Sequence, residues 1–170
     1  YDLSIFPPTE EAINWARYLG GGADDSGRNI AVDGAGNVYV TGSTSSAGWV
    51  QGGFDTSYDG SGDAFVVKLS PSGEHLWSTY LGGSGIDGGR DIALDGAGNV
   101  YVIGSTGSAG WISGGFDTSY DGGYSDGFVV KLSPVGQHLW STYLGGSGWD
   151  EGNAIVVSGW GTVYVAGSTA

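Results

Sequence analysis

The chain has no cysteine and no methionine among its 170 residues, only four prolines, and five lysines and arginines against 18 aspartates and glutamates. Each shortage excludes something. Without cysteine there is no disulfide framework, no thiolate nucleophile and no thiolate metal site. The lack of methionine, even at position 1, leads us to expect a mature or excised product. A net charge of −13 would repel phosphate backbones and anionic lipid, so nucleic acid is not an expected partner. No stretch approaches the ~18 apolar residues of a membrane span and no signal-peptide pattern occurs, so membrane insertion is not expected either.

What the chain has in excess is glycine, 36 residues, with aromatics at 13% as core material. That is too much glycine for a helical protein, and the glycines are too regularly placed for a disordered one. The regularity is a repeat. Trp15, Trp77 and Trp140 open three copies of one pattern, at steps of 62 and 63 residues. Ala31–Gly60 and Ala93–Gly122 agree at 25 of 30 positions, and Phe65–Gly85 and Phe128–Gly148 at 19 of 21. Self-similarity at this period marks a repeat architecture.

Within each unit, short β-forming runs are bounded by Gly, Pro, Asp or Ser. In the first unit strands are predicted over Arg28–Asp33, Val38–Ser43, Ala64–Ser70 and Glu74–Leu81. In the second they are Arg90–Asp95, Asn99–Ser105, Gly127–Ser133 and Gln137–Leu144. Asp33-Gly-Ala-Gly-Asn37 and its copy Asp95–Asn99 read as hairpin turns, and Ser70-Pro-Ser-Gly73 and Ser133-Pro-Val-Gly136 as tight turns. No helix is predicted. Four antiparallel strands per unit at a fixed period describe a blade of a β-propeller, whose sheets bury both faces against their neighbours. The apolar run Phe65-Val-Val-Lys-Leu69 fits that demand.

The order Gly-Arg-(Asn/Asp)-Ile-Ala-(Val/Leu)-Asp, Gly-Asn-Val-Tyr-Val, Gly-Ser-Thr, Phe-Val-Val-Lys-Leu-Ser-Pro and Ser-Thr-Tyr-Leu-Gly-Gly-Ser-Gly resembles the SBBP-type β-propeller repeats of bacterial and archaeal surface and secreted proteins. The resemblance runs from Trp15 onward. It implies an extracellular or cell-surface propeller and brings no catalytic residues with it.

The third unit shows only its first two strands, Asn153–Val157 and Val163–Ser168. The other two are recognisable at the front, where Tyr1, Leu3 and Ile5 align with Phe65, Val67 and Leu69, and Asn14–Leu19 with Leu76–Leu81. One domain of three blades is therefore expected: a half-blade in 1–27, blades in 28–82 and 83–145, and the complementary half-blade in 146–170. The expected function is structural, with copies joined head to tail by completing the split blade, as an open filament or a closed ring. The assembly residues would be Tyr1, Leu3, Ile5 and Trp15 from the front, and Ile155, Val157, Val163 and Val165 from the back. Trp149 and Trp160 join them because they replace Asp24/Ile86 and Ala35/Ala97 of the other units.

Three further constellations invite chemistry. Asp25, Asp87 and Asp150 recur beside glycines, a pattern that suits carboxylates satisfying loop N–H groups. Asp59-Gly-Ser-Gly-Asp63 has the opening spacing of a calcium loop, yet the rest of that pattern is missing and Asp121–Asp126 carries an extra residue, so no metal or other cofactor is expected. Trp49, Phe54 and Tyr58, with Trp111, Phe116 and Tyr120, offer platforms for sugar rings, which makes a glycan-binding propeller the alternative function. His75/His138 and Lys68/Lys131 are copies of one another. With no distinct nucleophile, base and orienting acid, the chain is not expected to be an enzyme.

Overall fold

The computed structural model describes residues 15–170, in which every regular element is a strand. They are β1 (Asp25–Val32), β2 (Val38–Thr44), β3 (Asp63–Leu69), β4 (His75–Leu81), β5 (Asp87–Leu94), β6 (Val100–Thr106), β7 (Asp126–Leu132), β8 (His138–Leu144), β9 (Glu151–Val157) and β10 (Val163–Ser168). The order is β1-β2-β3-β4 in one sheet and β5-β6-β7-β8 in the next, all neighbours antiparallel, with β9 and β10 as a two-stranded sheet. The sheets therefore have the form of propeller blades. The expectations placed on Tyr1, Leu3 and Ile5 lie outside the described residues.

Alternation along β3 explains the stacking. Ala64 and Val66 point one way and, with Tyr39, Trp77 and Leu81, meet Ile92, Val100, Val102, Phe128, Val130 and Leu132 of the following sheet. Phe65, Val67 and Leu69 point the other way, against Trp15 and Leu19. A second interface joins Tyr101, Ile103 and Val129 to Ile155, Val157 and Val163. Each full sheet thus carries two apolar faces, which is why its third strand reads as a continuous hydrophobic run. Trp15–Leu19, expected as a strand, has no strand partner among the described residues. It is seated as Trp77 is: Trp15 Nε1 donates to the carbonyl of Pro71 at 2.9 Å, and Trp77 Nε1 to that of Pro134 at 3.1 Å.

The hairpin turns form as the sequence requires. Asp33 Oδ1 accepts from the N–H groups of Ala35 and Asn37, and Oδ2 accepts from the Asn37 amide and the Tyr39 hydroxyl. The Asn37 amide, foremost among these donors, holds the Asp33 carboxyl below its ordinary range. Gly36 takes φ 82°, open to glycine without strain.

One feature was missed. β1 and β5 begin at Asp25 and Asp87, three residues ahead of the predicted Arg28 and Arg90, because a β-bulge lets each strand continue across the arginine. The partner strand must then approach closely. A Cβ on Gly42 would overlap the carbonyl oxygen of Ser26, and one on Gly104 that of Gly88. Gly104→Ala is therefore expected to lower stability by about 1–3 kcal/mol, read from the urea midpoint. Gly96→Ala, whose Cβ meets nothing within 4 Å, should change it by less than about 0.5 kcal/mol. Equal effects would show that the bulge does not need its glycine.

Candidate functional site

The recurring aspartates are structural. Asp25 accepts from the Gly21 N–H and the hydroxyls of Thr44 and Ser46. Asp87 repeats this with Gly83, Thr106 and Ser108, and Asp150 with Gly146. Asp25 and Asp87 thereby pin the loop before an inner strand to the end of the neighbouring strand, and Asp150 holds the Gly146 N–H of its own loop.

The aromatic connectors fold back on their own blades. Residues 45–62 run beside the open edge of β4: Ser78 and Tyr80 donate their N–H groups to the carbonyls of Gln51 and Asp55. Residues 107–125 do the same for β8 through Ser141 and Tyr143. Trp49 donates Nε1 to the Thr44 hydroxyl and meets Phe65 edge to face at 5.2 Å; Trp111 repeats both contacts with Thr106 and Phe128. Tyr58 packs on Tyr80, and Tyr120 on Tyr143. These four rings are engaged with protein, as packing of a long connector demands. Phe54 rests on His138 of the next sheet at 5.1 Å, whereas its copy Phe116 is fully exposed.

The calcium-like loops hold a different surprise. Asp63 and Asp126 are both 1% exposed. One oxygen of each accepts a single backbone N–H, from Asp59 at 3.3 Å and from Asp121 at 3.2 Å, while Oδ1 has no partner. The extra residue of the second copy does not spoil the arrangement, because Gly122 and Gly123 absorb it at φ 94° and 77°. Burial, aided by the Asp87, Asp59 and Asp55 carboxylates, pushes the Asp63 carboxyl up to about 7. Asp126 is raised the same way, with Asp150, Asp121 and Asp117 around it. No group of three or more acidic or histidine side chains among the described residues is placed to hold a metal.

His75 and His138 hydrogen-bond Ser78 and Ser141 at 2.9 Å, and Lys68 and Lys131 lie over the rings of Tyr39 and Tyr101. These are repeated structural contacts. Trp149 stacks on Tyr124 at 4.9 Å and donates to Glu151 at 3.3 Å, so two departures from the repeat, the lengthened loop before Ser125 and the tryptophan, meet each other.

The assembly residues divide. Ile155, Val157 and Val163 also pack inside the chain, against β6 and β7. The residues that look away from the sheets are Val156 and Tyr164 on β9 and β10, and Trp160 on the hairpin between them, which is 98% exposed. Val165, half exposed, lines an apolar groove of about 230 Å³ with Ile103, Leu144 and Ala166. At the other end, Ile30 and Val32 of β1 are exposed. The sequence could have shown this, since the copies of Ile30 and Tyr164 are obvious, but not which face of β9 the neighbouring blade takes.

Against known proteins, the profile of the SBBP family, a beta-propeller repeat, matches residues 14–48 and 76–110. No curated protein matches the chain. Each matched segment runs from a Trp that seats on the next blade through that blade's first two strands, so the repeat straddles two blades.

Proposed function

Because this is an SBBP-type β-propeller repeat protein, we propose that it is an extracellular structural protein whose copies join head to tail across a split blade. One contrast carries the reading. Tyr39 and Tyr101 are each 1% exposed under the following blade, while their copy Tyr164 is 60% exposed. Ile92 and Ile155 are 6% and 3% exposed under the preceding blade, while their copy Ile30 is 60% exposed. In the chain, residues of the Tyr164 type cover residues of the Ile30 type. A second copy brings the two uncovered ones together, and such complementary apolar faces mark an interface.

The edge supports the same junction. β10 pairs only with β9 among the described residues, leaving one side free for strand addition. Tyr1, Leu3 and Ile5 carry the third-strand pattern and lead into Trp15–Leu19, which sits on the far side of β1–β4. As sequence copies of Phe65, Val67 and Leu69, which pair with β2, they are the segment proposed to add beside β10. Two copies would give six blades, within the usual four to eight, so a closed ring and an open filament both satisfy the junction.

Deleting residues 1–8 is expected to leave protein that stays at monomer mass in light scattering, whereas the whole chain assembles. Electron microscopy of the whole chain then separates six-bladed discs from threads. Undiminished assembly of the truncated chain would refute strand completion.

A further inference from the structure

A second kind of site lies between the inner strands of the two full blades. β5 packs against β1 on one side and β9 on the other, and its bulge brings Arg90 to the second of these junctions. There Arg90 Nη2 donates to Glu151 Oε1 of β9 at 2.6 Å. The repeat makes the comparison internal. Asp25-Ser26-Gly27-Arg28, Asp87-Gly88-Gly89-Arg90 and Asp150-Glu151-Gly152-Asn153 are the same stretch in the three units. Arg28 therefore stands to Gly88 as Arg90 stands to Glu151, but Gly88 has no side chain to offer. No carboxylate among the described residues pairs with Arg28.

At this place the structure has a cavity of about 420 Å³. Arg28, Arg90, Ser43, Ser105, Asn153 and Gly88 are among the residues that line it. The one carboxylate in the lining, Asp87, already accepts from the Gly83 N–H and from the Thr106 and Ser108 hydroxyls. Two of the chain's five basic residues thus face a polar cavity in a protein of net charge −13. Guanidinium groups take carboxylates with paired, charge-assisted hydrogen bonds, while serine hydroxyls and an asparagine amide suit ring hydroxyls.

We propose that this cavity binds the carboxylate of an acidic sugar, with Arg28 holding the carboxylate as Arg90 holds Glu151, and Ser43, Ser105 and Asn153 taking hydroxyls. The site lies within one chain, its lining drawn from β1, β2, β5, β6 and β9.

The test uses the whole chain, glucuronate as probe and titration calorimetry at ~0.15 M salt, where the Debye length of about 8 Å screens distant acidic residues. Glucuronate should bind, and glucose, which lacks the carboxylate, should not. Arg28→Gln should weaken binding tenfold or more. Gly88→Glu should abolish it by supplying the protein's own carboxylate, as Glu151 does, with the melting temperature unchanged. The backbone at Gly88 permits this, since its Cβ would meet only Ser43 at 3.9 Å. Should Gly88→Glu fail to fold, Arg28→Gln and the glucose control still decide. No binding of glucuronate, equal binding of glucose, equal binding of sulfate, or full binding by either variant would overturn the proposal.

Discussion

Asp63→Asn is expected to raise the stability of the chain by about 2–4 kcal/mol at pH 8 and to leave it unchanged near pH 4. Asp63 is buried, and its carboxyl is held at about 7 against an ordinary value of 3.8, chiefly by burial. A carboxyl raised on folding binds its proton more tightly in the native state. The penalty is then absent below the unfolded value, grows as pH rises from about 4 to about 7, and is constant above. A difference of about three pKa units corresponds to roughly 4 kcal/mol as an upper bound. Asparagine keeps an oxygen for the Asp59 N–H and carries no charge for Asp87, Asp59 and Asp55 to oppose. Asp126→Asn should act in the same direction, since the second blade repeats the arrangement. Urea unfolding across pH 4–8 measures this. If Asp63→Asn instead lowers stability at pH 8, and a chelator does the same to the parent chain, the unpartnered oxygen serves a cation and the argument fails.

That burial was not legible in the sequence. Asp63 stands in a run of Asp, Gly and Ser that reads as a solvated loop, and only the fold brings it beneath the start of β5, where Asp87 donates its N–H to Gly62. The connectors were obscure for a related reason. Their pairing with β4 and β8 runs through backbone groups and isolated bridges, which impose no alternation on the side chains. The regular strands were legible because each blade is buried on both faces, so its third strand must be apolar throughout. The turns were legible because Asp33 and Gly36 each have a local task. The bulge at Arg28 escaped notice because an extra residue breaks the period of two that identifies a strand. Which residues close the junction depended on that same register. Sequence pointed to the most hydrophobic members of β9, whereas the structure turns Ile155 and Val157 inward and leaves Val156 outward.

Because the two open faces differ, each can be disabled alone, and this leads to an all-or-none expectation. Ile30→Asp removes the acceptor face of a copy and leaves its β9–β10 end intact. Tyr164→Asp does the reverse. Either change would bury an unpaired carboxylate in an apolar junction, at a cost of several kcal/mol, so each variant alone should remain at monomer mass. Both positions are 60% exposed in the single chain, so neither change should disturb folding. Mixed in equal amounts, the variants retain one working junction, from the intact Tyr164 of the first to the intact Ile30 of the second. The mixture should form a dimer at twice the monomer mass and grow no further, because its outer faces are the two disabled ones. A symmetric interface, in which the same patch meets itself, predicts something else: the undamaged Tyr164 faces would pair among the Ile30 variants alone, with no need of mixing. Light scattering of the three samples decides. Dimers in either unmixed variant, or monomers in the mixture, would remove the head-to-tail junction.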